Sequence, residues 1–208
     1  MNSVYTDQFP YQYGWSLYGP EQTQNAQEIA NYLSGQGVNQ NSIYAILGNM
    51  TTESFLNPGQ FGYTMGNNPA TNSYGLGQWD PGTKFTQYLQ SQGIPVTQPN
   101  MENGLYQLDF LLQDSGQWST YFVDMNTGYS SYYNLTVPIY PTMNDFLHDA
   151  QASIQDKTCA WMVYWERPQP GSEQARINYA NHWAGIITPT MMIWLICKVA
   201  QNWRRILR

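Results

Sequence analysis

The feature that most constrains the fold is the apolar spacing in residues 40–54, which read QNSIYAILGNMTTES. Large apolar side chains recur there at positions i, i+3, i+4 and i+7, which lie on one face of an α-helix. They belong to Ile43, Ile46, Leu47 and Met50. Asn39 and Asn41 offer side-chain oxygens that could cap the first turn. The sequence therefore predicts a helix over about 40–54 with one buried face.

Helical spacing recurs along the rest of the chain. The stretches that carry it are about 23–34, 83–92, 103–113, 156–167 and 172–183. A capping box formed by Thr142 and Asp145 predicts another helix that continues to about Ile154. Residues 57–79 are rich in Gly, Pro and Asn, and residues 116–141 are rich in Tyr. We expect loops and short strands in the first of these two segments and an irregular chain in the second.

Composition and spacing divide the chain into three parts. Residues 1–21 are rich in Tyr, Gln, Pro and Gly and lack periodicity, so they predict an N-terminal arm. Residues 22–185 contain the helices named above and are numerous enough to form one domain with a sizeable core. Residues 186–208 form a C-terminal tail. The first 15 residues show no basic region followed by an apolar stretch, so we expect no cleaved signal peptide.

Charge is scarce and unevenly placed. Charged residues make up 11% of the chain, whereas aromatic residues make up 15%. All 14 acidic residues precede residue 198, but four of the eight basic residues lie in the last eleven positions. Nucleic-acid binding needs a basic face that neutralises phosphates, so the acidic body excludes this class of partner. The polar, aromatic composition suits planar polar ligands such as sugars, and it also suits an ordinary surface of low charge.

The sequence carries no pattern for metal or cofactor chemistry. Cys159 and Cys197 lack CxxC or Cys/His spacing, and His148 and His182 stand apart without an HExxH motif. Two cysteines are too few for a disulfide framework and could be buried thiols or a single bridge. We therefore predict no metal site and no cofactor.

One carboxylate falls on the apolar stripe of the predicted helix 40–54. Glu53 stands three residues after Met50 and seven after Ile46, at the end of an uncharged run. Burial disfavours a charged carboxylate, and the last turn of a helix faces the negative end of its dipole. Both effects favour the protonated form of Glu53, which general-acid catalysis requires. The alternative is a glutamate that points outward at a frayed helix end.

Two further motifs complete a pattern with ESFLNP, residues 53–58. They are SYGLGQWD, residues 73–80, and CAWMVYWERP, residues 159–168, which RINYANHW soon follows. In this order and spacing, the motifs resemble the phage tail lysozyme family of the lysozyme-like superfamily, related to lytic transglycosylases and goose-type lysozymes. The resemblance covers residues 22–185. It implies an α+β fold in which a mainly helical body and a small β-region flank a groove for peptidoglycan glycan strands.

The resemblance also implies roles for individual residues. Glu53 matches the catalytic acid, and Ser54 matches a neighbour that forms hydrogen bonds in the cleft. The substrate-binding loop is matched by Tyr74, Gly75, Leu76, Gln78 and Trp79. The Gln78 amide could bind an acetamido or hydroxyl group, and Tyr74, Trp79 and Trp165 could offer flat faces to sugar rings. Core packing is the alternative for the tryptophans, and it is favoured for Trp161 and Trp165, which lie four apart on one predicted helix.

A second catalytic carboxylate is not defined by the sequence. Asp80 follows the loop motif but could simply cap the turn at Pro81. Glu166 belongs to the ERP element and looks structural, with Arg167 or Arg176 as its partner. Without a second carboxylate in the cleft, the enzyme could hydrolyse with a weakly held water. It could instead be a lytic transglycosylase, in which the C6 hydroxyl of the substrate attacks and one acid suffices.

The C-terminal tail differs from the rest of the chain. Its uncharged stretch, residues 184–197, is too short to span a bilayer comfortably. From residue 191 onward, apolar residues are mixed with Lys198, Arg204, Arg205 and Arg208. This mixture is typical of a basic amphipathic helix that lies on a membrane surface or binds an acidic partner. The alternatives are a helix that completes the core and the start of a linker.

Together these features predict a peptidoglycan-cleaving muramidase or lytic transglycosylase that acts on the β-1,4 bond between N-acetylmuramic acid and N-acetylglucosamine. The family resemblance implies a phage tail location or delivery to the bacterial cell wall, with other phage tail proteins as partners. An apparatus for conjugation is a second setting. The alternative from another class is a non-catalytic tail component that binds glycan or has a structural role. A membrane-active protein explains little of residues 22–185.

Overall fold

The computed structural model describes residues 1–3, 16–62, 68, 70, 72–113, 118 and 122–189. Its helices are α1 (Pro20–Gly35), α2 (Gln40–Ser54), α3 (Thr83–Ser91), α4 (Gln98–Met101), α5 (Gly104–Gln113), α6 (Met143–His148), α7 (Ile154–Trp161) and α8 (Glu173–Ile186), with a π-helical turn (Met162–Glu166) directly after α7. Strands β1 (Tyr129–Ser130) and β2 (Leu135–Thr136) form a small antiparallel hairpin. The fold is α+β and lysozyme-like, as the resemblance implied.

Helix α2 is the centre of the domain. Asn39 caps the N-terminus of α2, because its Oδ1 accepts a hydrogen bond from the backbone N–H of Asn41, as the sequence predicted. The apolar stripe is buried, but so are most other positions of α2, because the helix packs against α8, α7 and α1. A Cβ atom at Gly48 would lie 2.6 Å from the carbonyl oxygen of Arg176, so this glycine allows α2 and α8 to approach closely.

The helix predicted from Thr142 is shorter than expected. The capping box of Thr142 and Asp145 is present, but α6 ends at His148 rather than at Ile154. Asp149 then accepts a hydrogen bond from the backbone N–H of Gln151, and Ser153 caps the start of α7. Local side-chain bonds of this kind compete with helical bonds, which explains why the chain breaks here. The short helix α4 was not predicted.

The helix predicted over 156–167 changes its geometry half-way. It is α-helical to Trp161 and then forms the π-helical turn, whose last hydrogen bond runs from the N–H of Arg167 to the carbonyl of Met162 at 2.7 Å. Arg167 adopts a left-handed conformation with φ 54° and ends the helix. The wider turn displaces Trp165 and Glu166 from the positions that a regular α-helix would give them.

The ends of the chain are described only in part. The Met1 ammonium group lies 2.7 Å from the Glu28 carboxylate of α1, and the N–H of Asn2 donates to Asn25 on the same helix. Residues 4–15 of the predicted arm and residues 190–208 of the predicted tail lie outside the described residues. Among the helices that the structure describes, none is long and apolar enough to cross a membrane.

Candidate active site

Glu53 lies in the last turn of α2, as the sequence predicted. The helix ends at Ser54, and Phe55 follows in a left-handed conformation with φ 53°. The Glu53 side chain is 21% exposed, so it is neither sealed in the core nor frayed outward. Asn49 lies one turn earlier on the same face of the helix. Glu53 therefore reaches the surface from a rigid and largely buried helix.

Arg176 of α8 is the direct partner of Glu53. Its Nη2 lies 2.5 Å from Glu53 Oε1, its Nη1 donates to Asn49 Oδ1 at 2.8 Å, and its Nε donates to Ser172 Oγ at 3.0 Å. Arg176 is 2% exposed. The sequence had offered Arg167 or Arg176 as the partner of Glu166 and had not predicted the contact between Arg176 and Glu53. The candidate acid therefore stands in direct contact with a buried cation.

Glu166 is a second carboxyl group near this ion pair. It ends the π-helical turn, and Trp161 Nε1 donates a hydrogen bond to Glu166 Oε1 at 3.0 Å. Burial of the carboxyl, followed by the charge of Glu53, raises the pKa of Glu166 well above its usual range. The charge of Arg176 and the Trp161 bond act in the opposite direction. Burial thus drives the Glu166 carboxyl toward its protonated form.

The loop from Tyr74 to Trp79 is attached directly to the end of α2. Ser54 Oγ donates to the backbone carbonyl of Leu76 at 2.9 Å, so the residue after Glu53 holds the loop. The N–H groups of Tyr74 and Trp79 each donate to the carbonyl of the other residue, which closes the loop. Gly75 has φ +82°, a conformation that L side chains rarely adopt. The motifs that begin at residues 53 and 73 therefore meet in space.

Gln107 of α5 holds the same loop from the other side, and no sequence pattern predicted this role. Its Oε1 accepts from the backbone N–H of Leu76 at 2.8 Å, and its Nε2 donates to the carbonyls of Pro58 and Met101. A Cβ atom at Gly75 would lie 2.5 Å from Gln107 Oε1. Gln107 is fully buried. A single glutamine in a helix has no sequence pattern that distinguishes it from an exposed one.

The aromatic residues of the loop lie in the core. Tyr74 is 0% exposed and Trp79 is 1% exposed, and both rings pack near Phe85. Trp161 and Trp165 are also buried and stack on each other, as the core-packing alternative predicted. Protein atoms cover these faces. In this arrangement, Tyr74, Trp79 and Trp165 support the loop rather than offer exposed surfaces to sugar rings.

Gln78 and Asp80 take different positions around the loop. The Gln78 side chain is half-buried, accepts from Ser73 Oγ and donates to the carbonyls of Gln60 and Gly75. Its amide therefore links the end of the loop to Ser73, Gly75 and the neighbouring Gln60. Asp80 is exposed, immediately after Trp79. Within the described residues, no three His, Cys, Asp or Glu side chains lie close enough to hold a metal ion, and Cys197 lies outside them.

A helical body, a glutamate at the end of its central helix and a glycine-rich loop beside it define a lysozyme-like protein. A model of the phage tail lysozyme family matches residues 24–187. The chain belongs to this family. It is also similar to morphogenesis protein 1 of Bacillus phage B103, with 26% identity over 168 residues. That alignment covers 81% of this chain and 40% of the relative. Family membership supports a lysozyme-like enzyme at the level of the family.

Proposed function

We propose that the protein cleaves the β-1,4 bond between N-acetylmuramic acid and N-acetylglucosamine in peptidoglycan, with Glu53 as the general acid. The observation that carries this proposal is the bond from Ser54 Oγ to the carbonyl of Leu76, which fixes the glycine-rich loop next to the end of α2. Glu53 is partly exposed at this junction, where a glycan strand can approach. The family assignment supports the same reaction class.

The chemistry assigns a distinct role to each element. Glycosidic cleavage requires a proton at the leaving oxygen while the sugar becomes oxocarbenium-like. Protonated Glu53 supplies that proton. The loop that contains Gly75 and Gln78 offers its backbone to the glycan strand, because its aromatic side chains are buried in the core. Asp80 is the exposed carboxylate nearest in sequence to the loop, and it is our candidate to activate a water if the enzyme hydrolyses.

Two outcomes of the reaction are open to one acid. Attack by water on the anomeric carbon gives a reducing muramic end, whereas attack by the C6 hydroxyl of the substrate gives a 1,6-anhydro end. Digestion of purified peptidoglycan followed by mass analysis of the released ends separates the two. The absence of any cleavage at the glycosidic bond would favour the non-catalytic glycan-binding alternative.

The decisive variant is Glu53→Gln. It keeps the shape and the acceptor for Arg176 but removes the acid, and loss of a positioned general acid costs roughly 10²–10⁴ in rate. We expect turnover of peptidoglycan to fall by this factor while the melting temperature stays near that of the unaltered protein. Glu102→Gln is the matched control, because Glu102 accepts hydrogen bonds from Ser3 and Gln98 and is not bonded to Glu53 or Arg176. Normal turnover by the Glu53→Gln protein would contradict the assignment.

We further propose that the enzyme acts from a phage tail or is delivered to the bacterial cell wall, where it opens a path for the genome. The family name and the phage relative support this setting. Because the chain spans 40% of the length of that relative, its tail partners remain proposals. Binding of the protein to purified particles of its own phage, measured by co-sedimentation, tests the location.

A further inference from the structure

Tyr18, in the segment that leads into α1, presents an aromatic ring at the surface. It is 36% exposed, whereas the aromatic side chains of the glycine-rich loop are buried. The Tyr18 ring stacks on the imidazole of His182 on α8, with 3.5 Å between the ring centroids and 25° between the ring planes. Tyr179 of α8 lies beside it, with a centroid distance of 6.2 Å. We call Tyr18, Tyr179 and His182 the Tyr18 platform.

The Tyr18 ring is held in place by its surroundings. The backbone N–H of Tyr18 donates to Gln22 Oε1 at 2.5 Å, and Gln22 is 1% exposed. Tyr18 has φ 64°, a left-handed conformation that persists in a residue other than glycine only where the surrounding structure maintains it. A ring that is already fixed loses little conformational freedom when a ligand binds to it. The platform is therefore preorganised.

Two hydrogen bonds connect the platform to the end of α2. Gln22, which holds the backbone of Tyr18, also donates from Nε2 to the carbonyl of Phe55 at 3.2 Å. Phe55 is the second residue after Glu53. Trp183, whose ring centroid lies 5.6 Å from that of Tyr18, donates from Nε1 to Thr51 Oγ1 at 2.8 Å. Thr51 is the second residue before Glu53, so the two bonds flank the candidate acid in sequence.

Helix α8 provides a third connection. Arg176 contacts Glu53, and Tyr179 of the platform follows Arg176 by three residues on the same helix. Residues three apart lie on the same face, separated by about 4.5 Å along the helix axis. The platform therefore borders the surface at which Glu53 is exposed. A polymer bound at Glu53 can extend over Tyr18.

The chemistry of the platform favours a neutral ligand with a flat apolar face. Its three side chains are aromatic, and none is a carboxylate, an ammonium or a guanidinium group. The face of an aromatic ring carries the negative part of its quadrupole. The axial C–H groups of a β-linked pyranose form a flat face of opposite partial charge. A sugar ring therefore matches the Tyr18 ring in shape and in electrostatics.

We propose that the Tyr18 platform is a binding subsite for a sugar ring of the peptidoglycan glycan strand, next to the cleavage site at Glu53. This inference rests on the proposed function. The sugar stacks on the exposed part of the Tyr18 ring, which His182 supports from its other side. The subsite lies away from the bond that breaks, so it binds the substrate and the transition state equally. Such binding lowers KM and leaves kcat nearly unchanged.

The first measurement is binding without turnover. Calorimetry of the Glu53→Gln protein with a peptide-free hexasaccharide of alternating N-acetylglucosamine and N-acetylmuramic acid gives the reference Kd. Addition of Tyr18→Asn removes the ring, and asparagine tolerates the left-handed backbone. We expect this change to weaken binding about tenfold, because an aromatic face contributes both apolar contact and a directed attraction. Tyr18→Phe should bind normally, since it keeps the ring. An unchanged Kd in Tyr18→Asn would overturn the proposal.

The matched control is Tyr129→Asn on strand β1. Tyr129 is 42% exposed, and its hydroxyl donates to Asn134 in the same hairpin. We expect this variant to bind the hexasaccharide normally. An equal loss of affinity in both tyrosine variants would refute a specific subsite at Tyr18.

The second measurement is the kinetics of cleavage in a protein that retains Glu53. Tyr18→Asn should raise KM for peptidoglycan by about tenfold and leave kcat near normal, which is the signature of lost uniform binding. The melting temperature should stay near that of the unaltered protein. A fall in kcat with an unchanged KM would show that the ring has a structural role instead, and the proposal would fail.

A third measurement does not depend on the folding of Tyr18→Asn. Tyrosine rings labelled with ¹³C are observed by NMR in the Glu53→Gln protein, and the Tyr18 signal is identified by its loss in Tyr18→Phe. A stacked sugar changes the surroundings of this ring, so the signal should shift as the hexasaccharide is added. The Tyr129 signal should not shift. A Tyr18 signal that stays in place at saturating hexasaccharide would refute the subsite.

The outcomes also separate this proposal from the proposed function. If Glu53→Gln is inactive and Tyr18→Asn binds the hexasaccharide normally, the subsite is refuted while Glu53 remains the acid. If Glu53→Gln stays active, the proposed function fails, and the effect of Tyr18→Asn on KM still tests the subsite. If Tyr18→Asn weakens binding to phage particles but not to the hexasaccharide, the platform binds a protein, and the glycan subsite is refuted.

Discussion

A single lysine is buried at the junction of three helices, far from the candidate acid in sequence. Lys157 of α7 is 0% exposed, and its Nζ donates to Ser42 Oγ on α2 at 2.7 Å and to the carbonyl of Phe146 on α6. The Asp149 carboxylate lies 3.8 Å away. Burial lowers the pKa of Lys157 to about 8, although the charge of Asp149 opposes this shift.

The lysine gives the fold a pH dependence with a definite sign. Below pH 8, Lys157 is charged in the folded and the unfolded states, and the cost of burying the charge is fully present. Above pH 8, the folded state loses the proton first, because the unfolded value is about 10.4. The unfolded state then binds more protons, so the free energy of unfolding rises with pH. We expect Lys157 to contribute a rise of about 1 kcal/mol between pH 7.5 and pH 9, measured by urea denaturation as the difference from a Lys157→Met variant.

Cys159 acts in the opposite direction over the upper part of this range. Burial raises the pKa of the Cys159 thiol to about 11, so from the unfolded value of about 8.5 upward this group makes the folded state lose stability as the pH rises. Lys157→Met is the control, because it removes the titrating group and keeps an unbranched chain. The rise should disappear in Lys157→Met. A rise of equal size in both proteins would show that another group causes it.

Single residues also show where sequence reasoning ends. The position of Glu53 was predictable, because it depends on spacing within one helix. Its partner Arg176 is 123 residues away, and the sequence had offered it only as one of two possible partners of Glu166. The burial of Lys157 was equally unpredictable, because in the sequence Lys157 is simply one of four basic residues in an acidic body. Contacts between distant elements depend on how the helices pack, and no local pattern records them.

At the scale of elements, the glycine-rich loop depends on α5. Gln107 fixes the N–H of Leu76 and bonds to two carbonyls that would otherwise be buried without this partner. Gln107→Met keeps a similar volume but removes all three hydrogen bonds. Each unmade bond to a buried polar group costs roughly 1–3 kcal/mol. We therefore expect a clear fall in the melting temperature and a marked fall in peptidoglycan cleavage, because the loop loses one of the side chains that hold it.

The control for this prediction is Gln90→Met, an exposed position on α3. It should leave both the melting temperature and the cleavage rate unchanged. The contrary outcome is a Gln107→Met protein with normal stability and normal cleavage. That result would mean that the Ser54 bond and the bonds to Gln60 position the loop without Gln107.

Helices were more predictable than the turns within them. Helix α2 begins and ends at the predicted residues, and α3 and α5 differ from the prediction by one residue at one end. The π-helical turn was not predicted, because a wider turn preserves the apolar composition of the segment and changes only which residues face each other. That turn decides where Glu166 lies. The sequence therefore indicated the ERP element but could not place its carboxyl.

At the scale of the whole molecule, the C-terminal end of the described chain is hydrogen-bonded to α1 and α2. Tyr44 donates its hydroxyl to the carbonyl of Ile187 at 2.9 Å, and Gln27 donates to the carbonyl of Thr188 at 2.9 Å. Ile187 is 3% exposed. The domain thus extends at least to Thr188, slightly beyond the predicted boundary at residue 185. Truncations that test the basic tail must leave these two residues in place.

We propose that the basic tail, residues 191–208, contacts an anionic membrane surface. If so, a chain that ends at Pro189 should match the full chain in melting temperature and in cleavage of isolated wall fragments. The full chain should bind anionic vesicles and the truncated chain should not. Binding should weaken with added salt, because exposed charges are screened within about 10 Å at 0.1 M.

A second truncation, which ends at Ile186, provides the comparison. It also removes the buried Ile187, whose side chain contributes roughly 1.5–3 kcal/mol, and both backbone anchors. This protein should melt several degrees below the chain that ends at Pro189, since 1 kcal/mol corresponds to roughly 2–4 °C at this chain length. Early melting of the longer truncated protein, with no vesicle binding by the full chain, would instead make residues 190–208 part of the core.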